Sequence, residues 1–204
     1  MARKTKEEAQ ATRCSILDAA ERLFQAQGVS RTSLHDIATA AGVTRGAVYW
    51  HFLDKSDVFN AMMDRVILPM EEASAGLDAD DGGAVLPTMR GLLVDVFARV
   101  TGDAQLRRVL EITLHKMEDT PELSAVRERR LQIRQGYRAR LEGALLRAQA
   151  RGEIGAALPA EQLAIGLHAL LDGLIQNWLL DPAAFDLRAV GAHAIDVHLA
   201  GMAR

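Results

Sequence analysis

The chain has one cysteine, Cys14, in 204 residues. No intrachain disulfide is possible, and a reducing compartment suits it. Aromatic residues are only 4% of the total, while Ala, Leu, Arg and Glu are abundant, a balance that favours helix over sheet. The amino end, MARKTKEEAQATR, lacks the apolar centre of an export signal. No window reads as approaching the roughly 18 apolar residues that span a bilayer. These absences predict a soluble, cytoplasmic protein with no membrane partner. Six histidines are present, but His193 and His198 are five apart, and there is no HExxH or Cys-His cluster. A glycine-rich phosphate loop, a GxSxG elbow and paired catalytic carboxylates are also missing. The expectation is therefore no metal, no cofactor and no enzyme.

Hydrophobic residues make up 49% of the chain, enough for a substantial core and against disorder. The stretch that organises the rest is Ser33 to Phe52, SLHDIATAAGVTRGAVYWHF. Ser33 and Asp36 have capping-box spacing, and Leu34, Ile37, Ala38 and Ala41 follow at helical intervals. Gly42 can end that helix in the left-handed conformation, and Thr44 can cap the next. Two short helices around a glycine turn make a helix-turn-helix. In the second, Val48 and Phe52 point inward, and Arg45 and Tyr49 form an outward i, i+4 pair. From Thr44 to His51 it is about 12 Å long, a size that suits a DNA major groove.

The net charge of −3 argues weakly against nucleic acid, but it is unevenly spread. Residues 1–55 hold eight Lys or Arg against six Asp or Glu; the remainder hold sixteen against twenty-one. A mildly basic head precedes an acidic body. Arg3, Lys4 and Lys6 form a basic arm, either reaching phosphates or merely solubilising the terminus. A helix from Glu7 to Gln27 completes a three-helix head, and Thr12 and Arg13 on it fit a solvated face as well as a phosphate contact. Asp54 and Asp57 start another helix, in which Lys55 suits an anion at the helix end. Pro69 should kink or break it near Ile67.

Residues 76–84, acidic and glycine-rich, make a boundary loop. Helical patterns then occupy 84–101, 103–117, 121–151, 159–180 and 186–202. The arginines of 121–151 spread around several faces and read as a solvated surface. The segment 159–180 is apolar nearly all round, so one side should face the core and the other a partner. With the last helix it could form a four-helix seam with a second copy. Asp172 falls inside that apolar stretch, where an unpaired carboxylate costs several kcal/mol, so it needs a ligand, an arginine, water or a dimer contact. Glu111, Gln176 and Asn177 pose the same question less forcefully.

Residues 31–57, RTSLHDIATAAGVTRGAVYWHFLDKSD, closely resemble the DNA-binding head of the TetR family. From ARKTKEEAQATR onward the resemblance is to its AcrR-like branch of multidrug-efflux repressors, and it continues more faintly through EITLHKME and LLDGLIQNWLL. The resemblance implies an all-α fold of about nine helices: a helix-turn-helix domain, residues 1–55, and an effector-binding and dimerisation domain, residues 56–204. It implies a repressor of double-stranded operator DNA, dimeric through its last two helices and released by a small apolar or amphipathic effector. Ser33, Thr44, Arg45, Tyr49, His51 and Lys55 would meet DNA, with Arg45 reading bases. The effector candidates are Ile67, Leu92, Val96, Leu110, Leu114, Tyr137, Leu141, Asp172 and Gln176. The alternatives are a regulator of a metabolic operon and a helical ligand-binding protein without operator specificity.

Overall fold

The computed structural model describes residues 6–78, 82–118, 120–157 and 159–202. The basic arm at Arg3 and Lys4 and the middle of the boundary loop lie outside the described residues. Among those described there are nine α-helices and no strand: α1 Lys6–Gln27, α2 Leu34–Ala40, α3 Arg45–His51, α4 Lys55–Ser74, α5 Val85–Gly102, α6 Ala104–His115, α7 Ser124–Ala150, α8 Ala160–Leu180 and α9 Leu187–Ala200. Single 3-10 turns extend α4 (Ala75–Leu77) and lead into α7 (Pro121–Leu123). The helices begin where side chains can satisfy free amides. Asp54 Oδ1 accepts from the amide of Asp57, and Asp103 Oδ1 from those of Gln105 and Leu106. Asp186 Oδ1 does the same for α9. The first turn of α5 is capped from afar, because Ala84 has no side chain to offer. The Glu153 carboxylate accepts from the Val85 amide at 2.8 Å and the Leu86 amide at 2.9 Å.

Contacts divide the chain into two compact units, 1–68 with 108–130 and 69–107 with 131–204. The first buries Ile16, Phe24, Ile37, Val48, Phe52, Phe59 and Ile112. Helix α1 also buries a glutamate: Glu21 is 2% exposed, and Arg108 Nη1 donates to its carboxylate at 2.6 Å. Of the kink or break expected near Ile67, a break does not occur. Pro69 is exposed and α4 runs on to Ser74, since a missing donor on a solvent-facing turn leaves the remaining ladder intact. The division between units falls at this proline.

In the second unit α5 and α9 pack most closely. Arg90 pairs through Nε and Nη2 with both oxygens of Asp196, which holds that carboxylate below its ordinary range. Gly191 faces the buried Phe97 ring so closely that a Cβ would overlap it. The expectation about membrane spans needs correction. By length and composition α8 is apolar enough to cross one. That apolarity has a use inside the fold: Ala164, Leu167, Leu171, Ile175 and Trp178 are buried, while Ile165 and Leu180 stay exposed. In α9 Leu187, Ile195 and Leu199 face the core and Val190 and Val197 face outward. Gly191→Ala should lower stability by about 1–3 kcal/mol in urea unfolding, because the Phe97 ring has no free volume to enter.

Candidate nucleic-acid interface

Helix α3 has seven residues, too few to be stable alone, so its ends are pinned. Thr44 accepts from the Ala47 amide at 3.1 Å, and Gly42 takes φ +67 in the turn before it. Ser33 and Asp36 form the full capping box of α2. Val48 and Phe52 are buried and anchor the inner face. The outer arc is Arg45, Gly46, Tyr49 and Trp50, all exposed. Arg45 Nη2 donates to Tyr49 Oη at 3.2 Å, and the guanidinium lies 5.3 Å from the ring centroid. The bond to Tyr49 raises the guanidinium pKa further, so the outer face carries a fixed cation stiffened by its aromatic neighbour. At Gly46 an added Cβ would meet nothing closer than Thr44 Oγ1, 3.9 Å away. The protein itself does not need a glycine there, and the bare backbone leaves room outside.

An open groove of about 500 Å³ is lined by Ser33, Arg45, Tyr49 and Lys55 together with Arg31, His35 and others. Four of the six expected contacts thus share one surface. Thr44 is exposed at the start of α3, and its hydroxyl proton is free of the cap, which uses only the oxygen. His51 is half-buried and stands edge-on to Trp50, ring centroids 4.5 Å apart. Trp50, which is not among the six expected contacts, is 73% exposed. The helical angle that places Gly46 outward places Trp50 there too. On α1, Arg13 lies over the Phe52 ring at 5.1 Å and braces the head from behind.

Two expected phosphate ligands are already engaged. Ser33 gives its hydroxyl proton to Asp36 Oδ2 at 2.7 Å and its amide at 2.9 Å, which keeps the Asp36 carboxyl below its usual pKa range. Both donors of Ser33 serve the cap. Lys55 is buried; its Nζ donates to Ser30 O at 3.2 Å and pairs with Glu122 at 3.3 Å. It is an internal cation at the groove wall, and the anion expected beside it is the Glu122 carboxylate in the DNA-free chain.

Residues 16–62 match the bacterial regulatory proteins of the tetR family, and residues 85–203 match the C-terminal region of MAATS-type transcriptional repressors. Together these span most of the chain. It belongs to the TetR family. Among its relatives is the HTH-type transcriptional regulator TtgR of Pseudomonas putida, 42% identical over 187 residues, covering 92% of this chain and 89% of TtgR. NalD of Pseudomonas aeruginosa, the secondary repressor of the MexAB-OprM multidrug efflux pump, superposes with a TM-score of 0.89 at 37% identity, covering 98% of this chain and 99% of NalD. SmeT in complex with triclosan gives 0.87 at 34% identity, covering 96% of this chain and 93% of that one. As a TetR-family member, the chain is a DNA-binding regulator and not an enzyme.

The candidate effector residues of this TetR-family chain fall in both compact units. Ile67, Leu110 and Leu114 belong to the unit that contains the helix-turn-helix. In the other, Leu141 is buried, Leu92 and Val96 are half-buried, and Gln176 is exposed. The Tyr137 hydroxyl is buried near Ser74 but short of hydrogen-bond geometry, and burial pushes it above the ordinary phenol range. Arg140 beside it donates to Glu71 O at 2.8 Å and Ser74 Oγ at 2.6 Å, tying α7 to the end of α4. Asp172 is not buried as expected. Its side chain is 47% exposed and pairs with His168 Nδ1 at 3.3 Å, one turn back on α8. The stripe of α8 is narrower than its composition implies, so the carboxylate reaches solvent at the edge.

Substituting Gly46→Ala should stabilise the fold by roughly 0.5–1 kcal/mol in urea unfolding yet weaken operator binding, since the new methyl points outward. For His168, burial lowers the pKa from 6.5, the Asp172 carboxylate opposes this, and Arg134 and Arg138 add to the lowering. Its stabilising contribution is thus complete above the unfolded-state pKa and lost as pH falls through the lower folded value. Melting temperature should drop as pH falls below 6.5, and His168→Gln should flatten that slope.

Proposed function

We propose that this chain is a homodimeric, ligand-responsive repressor of a multidrug-efflux operon, acting in the cytoplasm on an operator with two half-sites. The observation that carries the reading is the outward Arg45–Tyr49 pair on a capped, anchored α3, opening onto a basic-walled groove. Arg45 can give two parallel donors to a guanine edge, and the Tyr49 contact holds it extended for that purpose. Thr44 retains a hydroxyl proton for a phosphate, and the bare Gly46 lets the duplex come close. Phosphate contacts set position and Arg45 sets sequence. The exposed apolar side chains of α8 and α9, Ile165, Val190 and Val197, form the face through which a second copy adds the other head.

The relatives support the efflux assignment. NalD represses a multidrug pump, and SmeT accepts triclosan, a small apolar phenol. Here Leu92, Val96, Tyr137 and Leu141 would take the apolar body of an effector, with Asp172 and Gln176 at its polar end. Release requires that the effector bind the DNA-free conformation more tightly than the DNA-bound one.

A gel-shift assay with the DNA upstream of the chain's own gene tests this. The wild type should shift that fragment and not a scrambled one, and apolar drugs such as triclosan should reverse the shift. Arg45→Ala should cost about 10- to 100-fold in specific affinity while the dimer stays folded. Retained discrimination in that variant would remove Arg45 from the interface.

A further inference from the structure

Glu122 is an odd neighbour for a DNA-facing groove. It belongs to the 3-10 turn Pro121–Leu123 that leads into α7, yet it lines the groove with Ser33, Arg45 and Tyr49. Its side chain is 63% exposed, that of Lys55 only 8%, and Glu122 Oε1 lies 3.3 Å from Lys55 Nζ. A second link holds the turn there. Ser56 Oγ donates to the backbone carbonyl of Glu122 at 2.9 Å, independent of the carboxylate. Lys55 also donates to Ser30 O. An ammonium has three protons, so these acceptors leave one without a partner among the described residues.

Given that the groove is the DNA interface proposed above, we propose that Glu122 is a built-in competitor of the DNA backbone. Its carboxylate takes a phosphate's place on Lys55 and lowers affinity for every duplex alike. While the pair stands, Lys55 carries no uncompensated charge into the groove and releases no counterion when DNA arrives. A phosphate that reaches the ammonium also meets the repulsion of the Glu122 carboxylate, which is exposed enough to swing to solvent. Lys55 then exchanges one anion for the other, and the Ser56 bond keeps the turn docked throughout. The residue tunes strength, whereas Arg45 sets specificity.

The test uses the full-length dimer and fluorescence anisotropy on operator and scrambled duplexes across a salt series. Glu122→Gln should tighten both about three- to tenfold at low salt, steepen the log K against log salt slope by about one, and leave the ratio between duplexes unchanged. The gain should vanish in a Lys55→Met background. Unchanged or weaker binding in Glu122→Gln, or an equal gain without Lys55, overturns the proposal. Glu122→Asp keeps the charge and serves as the control for anchoring. If Glu122→Gln melts lower and binds more weakly while Glu122→Asp matches the wild type, Glu122 is a structural anchor and the proposal fails. Arg45→Ala on the same duplexes tests the groove reading separately: discrimination retained there sinks that reading whatever Glu122 does.

Discussion

A seven-residue helix must be held in place by its surroundings, and the head is arranged around that constraint. Nucleation costs more than so few backbone bonds return, so α3 depends on its caps and its two buried residues. Thr44 closes one end, Phe52 closes the other by donating its amide to Val48 O, and Val48 fixes the rotation. Once rotation is fixed, Arg45, Gly46, Tyr49 and Trp50 have no choice but to face out. The functional face is thus the remainder left after packing has used the inner side. Arg13 against Phe52 holds that inner side from behind.

What could be read from the sequence follows the range of the interactions. The caps at Ser33 and Thr44, the turn at Gly42 and the Arg45–Tyr49 pair all lie within four residues of their partners, and all were legible. The pairing of Lys55 with Glu122 is invisible in the sequence because the two are 67 positions apart. Nothing local distinguishes a lysine awaiting phosphate from one already paired. Ser33 shows a different limit, since spacing revealed the capping box but not that the box consumes both of its donors. Asp172 was assigned deep burial from an apolar neighbourhood, although His168, one turn away, was in plain view. The breadth of the α8 stripe was overestimated, and with it the depth of every polar residue on it. The effector candidates came from resemblance, and sequence spacing has no means of saying which of them converge.

The surplus of apolar surface on α8 and α9 has one physical source. A helix that serves a core on one side and a second copy on the other needs apolar side chains on both. Composition alone then resembles a bilayer span, and α8 meets that criterion of length and hydropathy. Ile165, Val190 and Val197 remain uncovered in a single chain. The division of labour along the helix is by angle and not by segment.

The start of α5 has a temporal consequence. Its first two amides are satisfied by a carboxylate 68 and 67 positions further along. A chain emerging from the ribosome must therefore carry that turn unfinished until residue 153 has been made. The order of synthesis runs against the order in which this helix can close, so its completion waits for the turn after α7 to fold back.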